Sequence, residues 1–218
     1  TEKATVSLRV LLTHPAVIAL AVSYFFWAYG LTMVIAWLPT YLVEARGYTI
    51  QQMGWVGMLP VAGGLIGVLG GGVMSDRLLR RGVSARWARK DIPAIAIACS
   101  APFLALAAWI PSPTSAVFAF ALFQLITTLG LVAFWSIPIE LNARFAGSIA
   151  SIMNFGGNFG GFFSPMVAGY VVAQGGDWAW PFYTAAVGCF LGAVVLAFFV
   201  PVQPLDFEAP TSRAASAD

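Results

Sequence analysis

Six long apolar stretches, separated by short polar or charged breaks, dominate the pattern of the chain: residues 16–41, 50–75, 92–110, 115–140, 147–173 and 178–200. Each approaches or exceeds the roughly 20 residues a helix needs to cross a hydrocarbon layer. The polar positions inside them recur at helical spacing. The pattern predicts an all-α integral membrane protein with six transmembrane helices. Thr49 and Gln52 form a capping box before the second stretch, and Pro113 and Pro181 stand near helix starts, where a missing N–H costs little. Residues 1–15 read as a linker, 16–200 as the helical bundle and 201–218, rich in proline and weakly acidic, as a disordered tail.

The six stretches divide into two triplets. The first member of each carries Trp and Pro near its end, Trp37-Leu-Pro39 and Trp135-Ser-Ile-Pro138, and the second is glycine-rich. Because three is odd, the second triplet is inverted relative to the first, giving two inverted three-helix repeats.

Charge then orients the bundle. Arg77, Arg80, Arg81, Arg86, Arg89 and Lys90 crowd the segment 76–91, and placing both termini on its side gathers Lys3, Arg9, Arg144 and Arg213 there too. Only Arg46 falls opposite. The positive-inside rule makes both termini cytoplasmic, and Trp37, Tyr41, Tyr48, Trp55, Trp109, Trp178 and Trp180 become an outer aromatic belt. Of the 218 residues, 60% are hydrophobic and 9% charged, which excludes an ordinary soluble domain. The basic residues cluster at one membrane face, so no nucleic-acid partner is expected. Cys99 and Cys189 lie inside apolar runs and read as packing residues. The chain starts at Thr1 without an initiator Met or a visible signal peptide, so a segment of a longer protein is expected.

Gly63, Gly67 and Gly71 lie four residues apart, as do Gly156 with Gly160 and Gly157 with Gly161. Small residues at this spacing let helix backbones approach closely in lipid. They serve packing within the six-helix unit or an interface with a second bundle.

Polar groups within the spans mark candidate contacts for a solute. Ser151, Asn154 and Asn158 share one helix face. Gln124, Thr128 and Trp135 share another, since offsets of four and eleven residues return close to the starting angle at about 100° per residue. Amides and hydroxyls with an indole face suit a carbohydrate-like ligand. Ser23, Tyr24 and Trp27 are the matching group on the first helix, with Tyr29 on a different face. For each, interhelical packing is the plainer alternative. Glu140 and Arg144, four apart, have the spacing of an ordinary helical ion pair, and a charged Asp76 at the membrane edge reads first as plain helix termination.

The segment Gly72-Val-Met-Ser-Asp76-Arg77-Leu-Leu-Arg80-Arg81 resembles the loop signature of the major facilitator superfamily, in the copy between the eighth and ninth spans; Leu79 stands where the stricter form has glycine. The stretches Trp37-Leu-Pro-Thr-Tyr-Leu-Val-Glu-Ala-Arg46-Gly47, Leu78-Leu-Arg-Arg-Gly82, Ala88-Arg-Lys90, Met153-Asn154-Phe155-Gly-Gly-Asn158 and Ser164-Pro165 resemble its anion:cation symporter branch, which carries galactonate, glucarate and hexuronates. The resemblance implies the C-terminal half of a twelve-helix transporter in the cell (inner) membrane. It implies an N-terminal six-helix half as partner, a small organic anion as substrate and the proton gradient as coupling, with no other cofactor. It makes Asn154 and Trp135 counterparts of the family's site residues, and Asp76 a gate accompanied by Glu140 and Arg144.

No Asp, Glu, His, Lys or Arg lies at mid-span, so a proton carrier and a charged anchor are expected in the other half. An intramembrane serine protease needs a base beside its nucleophile, and the only histidine, His14, precedes the first span. A channel lacks a filter-like loop. A purely structural membrane module stays open.

Overall fold

The computed structural model describes residues 8–207; expectations placed on Lys3, Arg213 and the tail beyond 207 lie outside them. Among the described residues the elements are α1 (Leu8–Thr13), α2 (Pro15–Thr40), α3 (Ile50–Val56), α4 (Met58–Arg80), α5 (Ile92–Trp109), α6 (Pro113–Leu129), α7 (Leu131–Leu141), α8 (Ala146–Ala173) and α9 (Trp180–Phe199), with π-helical turns at Tyr41–Ala45 and Trp87–Asp91.

Local chemistry sets the helix ends. The Thr49–Gln52 capping box forms in full, and prolines occupy the first turns of α2, α5, α6 and α9. At the other end of α4, Gly82 at φ 81° turns the chain, so that Gly82 N–H donates to Leu79 and Val83 N–H to Leu78 at 3.0 and 3.1 Å. This left-handed stop needs glycine. It also places Asp76 inside α4, five residues short of its cap at Arg81, and not at a helix end as the hydropathy suggested.

Five segments combine the length and apolarity of a membrane span: Pro15–Ala45, Ile50–Arg80, Trp87–Trp109, Pro113–Leu141 and Trp180–Phe199. The sixth rod is α8, whose 28 residues reach about 42 Å at 1.5 Å each. Its glycines and asparagines dilute the hydropathy while it packs along α2.

Neighbouring rods follow the order α4, α6, α5, α9, α2, α8. Exchanging the triplets, α2 with α6–α7, α4 with α8 and α5 with α9, reverses this order without changing it. The two inverted repeats are therefore built into the packing. The glycine rows explain the tightest contacts. A Cβ at Gly63, Gly67 or Gly71 would strike the backbone carbonyls of Ala121, Leu125 and Leu129, and one at Gly156 or Gly160 those of Ala21 and Phe25. Both rows make close contacts inside the unit. In lipid such contact acts through dispersion, because hydrocarbon offers no hydrophobic drive.

Three expectations change. The fourth span is broken at Gly130, which sits against Pro93, so α6 and α7 do not share one continuous face. Cys189 is buried beneath Gly30, but Cys99 is exposed. Residues 201–207 dock on the bundle: Leu205 N–H donates to the Leu141 carbonyl at 2.7 Å, and Phe207 packs edge-on to His14 and Phe145.

Candidate functional site

The break at Gly130 sorts the polar candidates into an inner and an outer set. Three of the inner set, Ser23, Trp27 and Thr128, are hydrogen-bonded to backbone carbonyls. Ser23 donates to the Gly192 carbonyl at 2.9 Å, and Thr128 donates to the carbonyls of Gln124 at 2.7 Å and Gly64 at 3.0 Å, tying α6 to α4. Trp27 donates its indole N–H to the Thr127 carbonyl at 3.2 Å, and Tyr24 stacks on it at 5.0 Å. Gln124 is buried with its Oε1 unpartnered, at the edge of a cavity of about 440 Å³ between α2, α3 and α4.

The outer set shares an exposed surface. Ser151, Asn154 and Asn158 all lie exposed along α8. Ser151 returns its hydroxyl to the Gly147 carbonyl at 2.8 Å and Asn158 its amide to the Asn154 carbonyl at 2.9 Å, local bonds that leave the remaining donors and acceptors facing outward. Asn154 makes no side-chain hydrogen bond among the described residues. Trp135 on α7 is 44% exposed and meets Tyr24 edge-on at 6.1 Å, while Gly157 lies against the same tyrosine ring. Tyr24 thus joins the indole of α7 to the polar stripe of α8. Helical spacing identified the stripe, but it grouped Trp135 with Gln124 and Thr128 because the bend at Gly130 has no strong sequence signal.

At the basic end, Asp76, Arg77, Arg80 and Arg81 are exposed on the last turns of α4. Gly72 lies against Val132 of α7, and Ser75 donates to the Ala88 carbonyl at 3.5 Å. Glu140 pairs with Arg89, not with Arg144 four residues on, because α7 stops at Leu141 and Asn142 turns extended. The ion pair clips α7 to the turn at Trp87–Asp91. Lys90, buried at 5% exposure, donates to the Ala197 carbonyl of α9 at 2.9 Å, a role its place in a basic run does not reveal.

The opposite end is closed by Arg46, which the charge count singled out without a function. Its guanidinium donates to the carbonyls of Ala108, Ile110 and Pro111 at 3.2, 2.7 and 3.0 Å and to the Tyr41 hydroxyl at 2.7 Å. One side chain thus satisfies three carbonyls at and just beyond the C-terminal end of α5, where helical partners run out. Tyr41 in turn packs with Phe120 and Phe182.

Inverted helix triplets, an exposed polar stripe on an otherwise apolar rod and a charged apron at one end define a multi-pass membrane protein. The chain belongs to the Major Facilitator Superfamily, whose family model matches residues 1–165. It is 31% identical over 182 residues to the "Probable sulfoacetate transporter SauU" of Cupriavidus necator, covering 84% of this chain and 42% of that protein. It is 27% identical over 206 residues to the "Hexuronate transporter" of Bacillus subtilis, covering 91% and 48%, and 31% identical over 163 residues to the "Probable galactarate/D-glucarate transporter GudP" of Pseudomonas putida, covering 73% and 34%. The chain therefore spans less than half the length of these relatives. They are transporters, not enzymes.

Proposed function

We propose that this chain supplies the C-terminal six-helix half of a secondary active transporter that moves a small organic anion, a sugar acid or related carboxylate, in symport with protons by alternating access. The observation that carries this reading is the outward polar stripe Ser151, Asn154 and Asn158. Amides facing hydrocarbon are costly, and a solvated cavity against a second bundle removes that cost. The substrates in the relatives' names, sulfoacetate, hexuronate and galactarate or D-glucarate, are oxygen-rich anions. In this reading Asn154 and Asn158 hydrogen-bond ligand oxygens and the exposed ring of Trp135 covers C–H groups. The anchor for the negative charge and the proton carrier sit in the N-terminal half. The Asp76 end faces the cytoplasm of the cell (inner) membrane, and Asp76 closes against the partner half when the cytoplasmic side is shut.

Uptake of labelled sugar acids into vesicles containing the full-length protein tests this reading. Saturable uptake that rises with an inward proton gradient is expected. Uptake indifferent to the gradient would remove the coupling, and no uptake of any organic anion tested would remove the substrate class.

A further inference from the structure

A cavity of about 600 Å³ opens at the basic end between the start of α2, the end of α9 and the turn at Trp87–Asp91. Its lining includes His14, Arg86 and Lys90. Arg86 is held toward it through Asp91, Nε to Oδ2 at 3.3 Å, with its side chain 67% exposed, while Lys90 lies 3.7 Å from the same carboxylate. Two cations against one carboxylate leave a net positive cavity. His14 Nδ1 accepts the Ala16 N–H at 3.3 Å, which puts the ring hydrogen on Nε2 as a further donor.

Ala197 and Phe198 also line a second furrow of about 280 Å³, which runs between α5 and α9 past Ala94, Ile95, Ala98 and Val194. Beyond Asp91, which lines its start and is paired with Arg86, that furrow is apolar, and the exposed side chains beside it, Ile95 and Phe198, are 53% and 79% accessible. A basic cavity at the membrane edge that shares a wall with an apolar furrow along the spans suits a phospholipid, polar at one end and hydrocarbon along the rest.

We infer that the cavity of His14, Arg86 and Lys90 and the α5–α9 furrow together form a binding site for one anionic phospholipid, with the phosphate at the basic cavity and an acyl chain in the furrow. The site is separate from the polar stripe of α8 and does not depend on what is transported. A free phosphate would use the cavity and leave the furrow empty, so the two sources can be told apart.

Native mass spectrometry of the full-length transporter released from nanodiscs of equal phosphatidylglycerol and phosphatidylcholine provides the test. Phosphatidylglycerol should be retained over phosphatidylcholine, and millimolar inorganic phosphate should not displace it. Arg86→Gln should lower retention about fivefold, the value of one basic side chain near a membrane surface, while Arg86→Lys keeps it. Val194→Trp, which fills the furrow, should also lower it. Equal retention of the two lipids, unchanged retention in Arg86→Gln or Val194→Trp, or displacement by inorganic phosphate would overturn the assignment.

Discussion

Ser164 on α8 donates its hydroxyl to the Tyr29 carbonyl on α2 at 2.9 Å, one turn beyond the place where Gly160 rests on the carbonyl of Phe25. With Gly156 on Ala21, this makes three successive rungs between parallel helices. The other pair repeats the ladder with Gly63, Gly67 and Gly71 on Ala121, Leu125 and Leu129. Serine at one rung supplies a hydrogen bond where glycine supplies only close approach.

The ladder predicts asymmetric costs. Gly67→Leu and Gly160→Leu drive a side chain into backbone that cannot yield and should each destabilise the bundle by about 1–3 kcal/mol or more. Gly147→Leu, which meets nothing within 4 Å, should be silent. Ser164→Ala should cost about 0.6 kcal/mol, the average for an interhelical hydrogen bond in lipid. Thermal unfolding in detergent ranks the four; equal melting of Gly67→Leu and Gly147→Leu would remove the ladder.

Much of this was legible in advance because membrane spans are long and carry one dominant signal. Hydropathy found the rods, and the spacing of Gly63, Gly67 and Gly71 marked a close-packed face, although spacing alone left open which neighbour it met. The misses share a cause. The bend at Gly130, the extension of α4 to the glycine stop at Gly82 and the choice of Arg89 by Glu140 are each set by particular backbone or side-chain contacts, some of them between segments far apart in sequence. A window of apolar residues does not register them. Residues 201–207 were missed for a related reason: Pro201 and Pro204 suggest an unstructured tail, but Leu205 and Phe207 find partners at Leu141 and His14.

Thr128 and Asn154 should separate structure from transport. Thr128→Val removes the hydroxyl bonds to Gln124 and Gly64 and should lower stability by about 0.6 kcal/mol without changing substrate affinity. Asn154→Ala should do the reverse, weakening substrate binding with expression and melting unchanged. Binding measured on both purified full-length variants checks the pair, and unchanged affinity in Asn154→Ala would take that residue out of the site.

Arg46 should behave as a brace for the end opposite the basic one. Arg46→Ala strips three backbone carbonyls and the Tyr41 hydroxyl of a charged donor and should cost about 1.5–3 kcal/mol. Lysine lacks the planar fork and should restore only part of it. Melting temperatures in the order wild type, Arg46→Lys, Arg46→Ala are expected; indistinguishable lysine and wild-type proteins would show that charge alone suffices.

Asp76 is exposed on α4 among Arg77, Arg80 and Arg81, so its carboxylate is available to a partner outside the described residues. Asp76→Asn should raise the labelling rate of cysteines introduced on the Asp76 end of the full-length transporter, by favouring the form open on that side. Identical labelling in both proteins would end the proposal that Asp76 is a gate.

The pair Arg89–Glu140 offers the sharpest test of how the basic end is held. Each side chain is 28% exposed, so the pair is screened less than a surface bridge, and removing one partner leaves the other charge partly buried. Glu140→Gln or Arg89→Gln should therefore destabilise by more than the roughly 0.2–1 kcal/mol of an exposed pair. The exchange Arg89→Glu with Glu140→Arg should recover part of the loss, since the two positions face each other across α7 and the turn at Trp87–Asp91. A double-mutant cycle of melting free energies gives the coupling directly. Coupling near zero would mean that the turn is held against α7 by packing alone, with the charges contributing nothing to it.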